Sequence, residues 1–213
     1  MTTDVDICNL ALGSLGVDPI TALGSATQEE RTCSLFYLIT LNNYLTEHSW
    51  SFATKIVELV EETTEVEGYD WAKYKFVYPS NCLKAQRVTN GETGYEYPFV
   101  IRDIEIAAVD VKLIFTNLQE AFLEYTIGLT DPDLFSSTFT SALSKKLAFE
   151  MSFPLTKDAK VQKQAFDQFL LADNLAKQKD SSEQLPESRP LTWEQSRTGM
   201  TRFYSISDYG LYY

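Results

Sequence analysis

Six carboxylates, Glu58, Glu61, Glu62, Glu65, Glu67 and Asp70, follow one another without an intervening base. Paired carboxylates are what glycoside hydrolysis uses, one as acid and the other as base or nucleophile. The acid of such a pair needs an apolar pocket that raises its pKa, whereas this run reads as a solvated hairpin or loop. His48 is the only histidine, so any Ser–His or Cys–His arrangement must use it. Its place at the end of a helix, on the face of Leu41 and Tyr44, reads as a core or rim histidine. Cys8, Cys33 and Cys82 are odd in number and far apart. They form neither a disulfide framework nor a CxxC knuckle, and read as small buried hydrophobes in a reducing compartment. Without a second histidine or a close cysteine pair no metal site is expected. Gly13 and Gly16 are too close together, and lack the Lys-Ser or Lys-Thr, for a phosphate loop. The expectation is a protein without catalytic residues, cofactor or metal.

Those residues sit in a chain of 213 with 18 Lys+Arg against 30 Asp+Glu, a net charge of −12, and 13% aromatics. So many aromatics exclude a disordered acidic polymer. The acidity argues against wrapping DNA, because affinity for phosphates comes from Lys and Arg. The N-terminus shows no signal peptide, and no long apolar run predicts a membrane span.

The elements that position these residues follow from periodicity. Thr3 with Asp6 makes a capping pair ahead of Val5, Cys8, Leu12 and Leu15, and Gly16 is a stop. Ser25 with Gln28 resembles a second capping box, opening a helix with Cys33, Phe36, Tyr37, Leu41, Tyr44 and His48 on one face. From Trp50 to about Ile127 the pattern alternates residue by residue: Tyr74/Phe76/Tyr78, Tyr95/Tyr97/Phe99/Ile101 and Val111/Leu113/Phe115 predict strands. Turns are expected at Asn90-Gly91 and Arg102-Asp103, and Pro98 places its strand at a sheet edge. The helical period returns after Asp133. Phe135, Phe139, Ala142, Leu143 and Phe149 share a face and Pro154 stops that helix, while Val161, Ala165, Phe169, Ala172, Leu175 and Ala176 mark the next. Phe166 and Leu170 lie on the other side of that last helix. This gives a candidate face between subunits, or one broad core stripe in a compact bundle.

The fold class predicted is α+β: an antiparallel helical bundle from residues 1–49 and 131–179, a β-rich insertion at 50–130, sandwich or barrel-like, and an extended tail at 180–213. The tail carries Trp193, Phe203, Tyr204, Tyr209, Tyr212 and Tyr213 with neither period, as a segment that docks on a partner or on its own domain would. Residues 140–179 hold seven Lys against four acids, so acidic strands and basic helices could meet head to tail between identical subunits.

Three blocks carry a resemblance. Ala11-Leu12-Gly13-Ser14-Leu15-Gly16-Val17-Asp18-Pro19-Ile20, then Trp50-Ser51-Phe52-Ala53 after the long helix, then Tyr74-Lys75-Phe76-Val77-Tyr78-Pro79-Ser80-Asn81-Cys82-Leu83 resemble, in that order, the tail tubular protein A family of short-tailed phages. Ser49 and Asn81 depart from its pattern, in which a proline often precedes the Trp and an acidic residue follows Pro-Ser. The resemblance covers residues 5 to 178. It implies a head-to-tail adaptor of the virion neck, made in the bacterial cytoplasm. Typically twelve copies ring the channel between the portal protein and the tail nozzle or tube, and double-stranded DNA passes without specific binding. Glu58, Glu61, Glu62, Glu65 and Glu67 are then candidates for the lumen or a subunit interface, where carboxylates repel the phosphate backbone. The competing expectations are a virion-associated peptidoglycan-degrading enzyme and an adaptor or terminator ring of a long-tailed phage.

Overall fold

A computed structural model of the chain describes residues 2–64, 69, 71–91, 96–106 and 109–183. Helix α1 (Asp4–Leu15) opens on the expected box: the Thr3 hydroxyl accepts from the Asp6 N–H at 3.1 Å, and the Asp6 carboxylate accepts from the Thr3 N–H at 2.9 Å. Gly16 closes it at φ 70°, in the left-handed region glycine enters freely. Asn9 then binds both polar groups of the Ile20 backbone, pinning the following loop to the helix. Helix α2 (Gln28–Glu47) starts two residues later than a Ser25 cap would place it. Thr27 is the cap, its hydroxyl taking the Glu30 N–H at 3.2 Å, and the Glu30 carboxylate reaches back to the Ala26 N–H. Two overlapping Ser/Thr-x-x-Glu/Gln patterns competed, and the later one caps the helix, its Glu30 accepting from the residue before the cap.

Six strands follow: β1 (Thr54–Glu58), β2 (Tyr74–Val77), β3 (Cys82–Thr89), β4 (Phe99–Ile106), β5 (Val109–Thr116) and β6 (Phe122–Ile127). They form two antiparallel sheets of order β1-β6-β3 and β2-β5-β4, joined at isolated bridges Glu61↔Phe76 and Val88↔Tyr97. Gly91 has φ 82°, the left-handed region a turn glycine enters, and a Cβ there would stand 3.0 Å from the Phe122 ring; the residues that would complete the expected turn lie outside the described ones. Pro98 does precede an edge strand. Arg102-Asp103, expected as a turn, lies instead inside β4, opposite Leu113 and Lys112. Both side chains face solvent, where the Arg102 guanidinium covers the Tyr69 ring at 4.5 Å. Two consecutive exposed polar residues in an edge strand read like a turn when only sequence is visible.

Helix α3 (Ser137–Thr156) passes through Pro154 and ends at Lys157, which is left-handed at φ 56°. Pro154 therefore does not stop it. In the last turn a proline forfeits one hydrogen bond, and the Lys157 N–H still closes on the Phe153 carbonyl at 3.0 Å. Helix α4 (Ala159–Glu183) packs along α3, and α1 and α2 pack on α3 as well. The chain is thus α+β, with the helices from its first and last thirds meeting around α3. One continuous core runs from the helices into both sheets. At its heart Phe139, fully buried, has the rings of Tyr44, Trp50, Phe52 and Phe135 within 5.1 Å of its own.

Candidate assembly surfaces

Cys33, Tyr37, Leu41 and Tyr44 are the buried face of α2, as their spacing predicts. Outside them Leu35, Leu38 and Ile39, at spacings of three and four, form a second apolar stripe 50–63% exposed. Sequence reading passed over that stripe because one apolar face already accounted for the helix.

On α4 the buried set is Ala165, Phe169, Asp173, Ala176 and Asp180. Leu175, expected on that face, is instead 51% exposed and joins Leu170, Leu171 and Phe166 on the open side. Two buried carboxylates disguised the inner face: Asp173 accepts from the Tyr44 hydroxyl at 3.0 Å and pairs with Lys177 at 2.7 Å. Asp180 accepts from the Ser51 N–H at 3.0 Å and the Ser51 hydroxyl at 2.7 Å, with His48 Nε2 at 3.3 Å. A buried charge survives when fully paired, so these two aspartates behave as core residues. Phe166 and Leu170 are on the exposed side, as expected; Phe166 also lays its ring 5.1 Å from that of Phe149.

The residues that might have formed a reaction centre are arranged otherwise. Ser51 and His48 both bond to Asp180 rather than to each other, so the serine–base contact that activates a nucleophile is not made. His48 also meets the Trp50 ring edge-on at 4.8 Å, as a rim residue would. Glu58 ends β1, Glu61 bridges to Phe76, and Glu62 continues alongside β2; all three lie toward solvent. Hydrogen bonds from the Thr64 hydroxyl and N–H pull the Glu62 carboxyl below its usual pKa, opposite to what a general acid needs. Cys8 and Cys33 are buried and Cys82 is half-buried; the Cys8 thiol, against that of Cys33, is pushed up by this contact and by burial. Among the described residues no group of three or more His, Cys, Asp or Glu is placed to hold a metal ion, and no helix is long and apolar enough to cross a membrane.

Glu65, Glu67, Asp70, Tyr95, Trp193, Phe203, Tyr204, Tyr209, Tyr212 and Tyr213 lie outside the described residues. Comparison with protein-family models gives no match, and comparison with curated proteins gives none.

Among the exposed apolar surfaces are these two helical stripes. They are alike in being aliphatic and helical, yet they sit on different helices that flank α3. Contiguous exposed apolar faces of this kind mark sites of association.

Proposed function

We propose that this chain is the subunit of a phage head-to-tail connector, assembled as a ring between portal and tail nozzle or tube. The observation that carries this reading is the pair of unlike apolar faces, Leu35/Leu38/Ile39 on α2 and Leu170/Leu171/Leu175 on α4, on one chain. A heterologous contact repeated by rotation closes into a ring. The three sequence blocks shared with tail tubular proteins supply the context. Of their apolar residues, Ala11, Leu12, Trp50 and Phe76 are buried, Leu15, Val17, Phe52 and Leu83 half-buried and Val77 exposed, so most of each block serves the fold.

In this reading the copies, typically twelve, surround double-stranded DNA during ejection without binding it specifically. The exposed carboxylates Glu58, Glu61 and Glu62 contribute to a surface that phosphates avoid. The aromatic residues at the end of the tail, Tyr209, Tyr212 and Tyr213, dock the subunit on its partners, and the site of action is the virion neck. A peptidoglycan-degrading role draws no support from Glu62, whose pKa is displaced in the wrong direction.

Electron-microscopic ring counting and native mass, on the parent and on Leu38→Glu and Leu171→Glu, with and without portal protein, test the proposal. Closed rings are expected for the parent on the portal, and their loss in either variant while the subunit stays folded. Rings that form equally well in both variants would remove the observation on which the proposal rests.

A further inference from the structure

Four strand edges terminate the two sheets, and they are not treated alike. The outer side of β2 is taken by the chain itself, with the Val77 N–H on the Val60 carbonyl at 2.9 Å and the Glu62 N–H on that of Lys75 at 2.8 Å. On β3 the Val88 carbonyl accepts from the Tyr97 N–H at 2.9 Å, and β4 is half-buried along much of its length. Among the described residues nothing pairs with the outer side of β1: Ile56 is 65% exposed, Val57 39%, and Val60 just beyond it 71%.

The register says which groups are unclaimed. Because the Leu59 N–H donates to the Ala121 carbonyl at 2.8 Å, the alternation of an antiparallel ladder turns the peptide groups of Ile56 and Glu58 away from β6. Beside this edge opens a groove of about 460 Å³ lined by Val57, Leu59, Val60, Tyr78, Pro79 and Tyr125, with Glu58 as its acidic member. An apolar edge with free amides next to an apolar groove suits strand addition: the backbone supplies hydrogen bonds and the groove takes alternate side chains.

The path of the chain points to the occupant. Asp180 of α4 is bonded to Ser51, three residues before β1, and the described helix ends at Glu183. The last described turn of α4 therefore lies near the start of that edge. Within residues 184–213, Thr201-Arg202-Phe203-Tyr204-Ser205-Ile206-Ser207 contains neither glycine nor proline, is flanked by Gly199 and Gly210, and is rich in strand-forming types. Residues 184–200 span up to roughly 56 Å when extended, more than enough to reach any point of a five-residue strand.

We propose that Thr201–Ser207 adds to the free edge of β1 of its own chain, placing an aromatic ring in the groove. Phe203 and Tyr204 point to opposite faces of a strand, so one of them enters the groove in either orientation. Arg202 brings positive charge to the side that holds Glu58. Tethering beside the acceptor gives this segment a high effective concentration over any free competitor. The edge is thereby shielded from unwanted pairing, and Tyr209, Tyr212 and Tyr213 emerge from a fixed place on the subunit.

Amide hydrogen exchange at Ile56 and Glu58 tests this on the dilute, monomeric chain, with native mass recorded in the same samples. The comparison uses the parent, Tyr204→Pro, and a chain ended at Thr198, with Leu143 and Leu147 of α3 as folding references. Exchange at both β1 amides is expected to be about tenfold slower in the parent than in either variant, with the α3 references unchanged. Equal rates in all three chains would overturn the proposal. So would protection that grows with concentration alongside a dimer mass, since the occupant would then be a second copy. No ring is required, so failure of the connector reading and failure of this one are separable.

Discussion

Asp180 joins three elements through one carboxylate: α4 supplies it, the Ser51 N–H and hydroxyl donate to it, the His48 ring lies against it, and 4% of the side chain is exposed. Asp180→Asn keeps the shape but gives up charge-assisted bonds, and is expected to lower the unfolding free energy by about 1–3 kcal/mol in urea titration. Tyr37 presents the opposite case. Its hydroxyl is buried without a hydrogen-bond partner among the described residues, and burial pushes its pKa well up. Tyr37→Phe should therefore raise stability, by about 1 kcal/mol in the same titration. Asp6 links structure to pH. Its carboxyl is held below the ordinary 3.8 by the Thr3 N–H and hydroxyl, so its contribution is complete above that value and lost as pH falls through the lower folded-state pKa. Asp6→Asn is expected to be less stable than the parent at pH 7, and the gap to close below about pH 3.8 in thermal scans followed by circular dichroism.

At the scale of elements, periodicity found four helices and the alternating strands because most of their inward residues are apolar. It erred where polarity and position part company. Asp173 and Asp180 point inward while Leu171 and Leu175 point outward, and only the partners Tyr44, Lys177, Ser51 and His48, more than a hundred residues away except for Lys177, explain why. Pro154 and the Arg102-Asp103 pair failed for a related reason: a local signal was overruled by where it fell in a longer element. The pairing order of the strands was not readable, since register depends on partners distant in the chain. Leu171→Glu and Leu38→Glu belong here as monomer measurements too. Each exposes no new cavity, so the change in unfolding free energy should stay within about 0.5 kcal/mol. A larger loss would mean that these leucines serve the subunit's own fold.

For the whole molecule, the aliphatic stripes of α2 and α4 lie on helices around α3, whereas the carboxylates Glu58 and Glu61 stand beside the exposed apolar residues Ile56, Val57 and Val60 of the β1 edge. In the proposed reading the aromatic residues at 209–213 serve attachment. Removing Tyr209–Tyr213 is expected to leave the melting temperature unchanged and to abolish co-sedimentation with the portal protein; unchanged co-sedimentation would detach the tail from that role.

The central place of α3 also dictates an order of events during synthesis. α1 and α2 pack mainly on a helix that begins at Ser137, so they leave the ribosome long before their partner exists. Their apolar faces must wait while the six strands are made and pair among themselves. Residues 1–130 alone are therefore a vulnerable nascent chain, open to chaperones and proteases, and addition of α3 rather than of any strand is the step that ends that exposure.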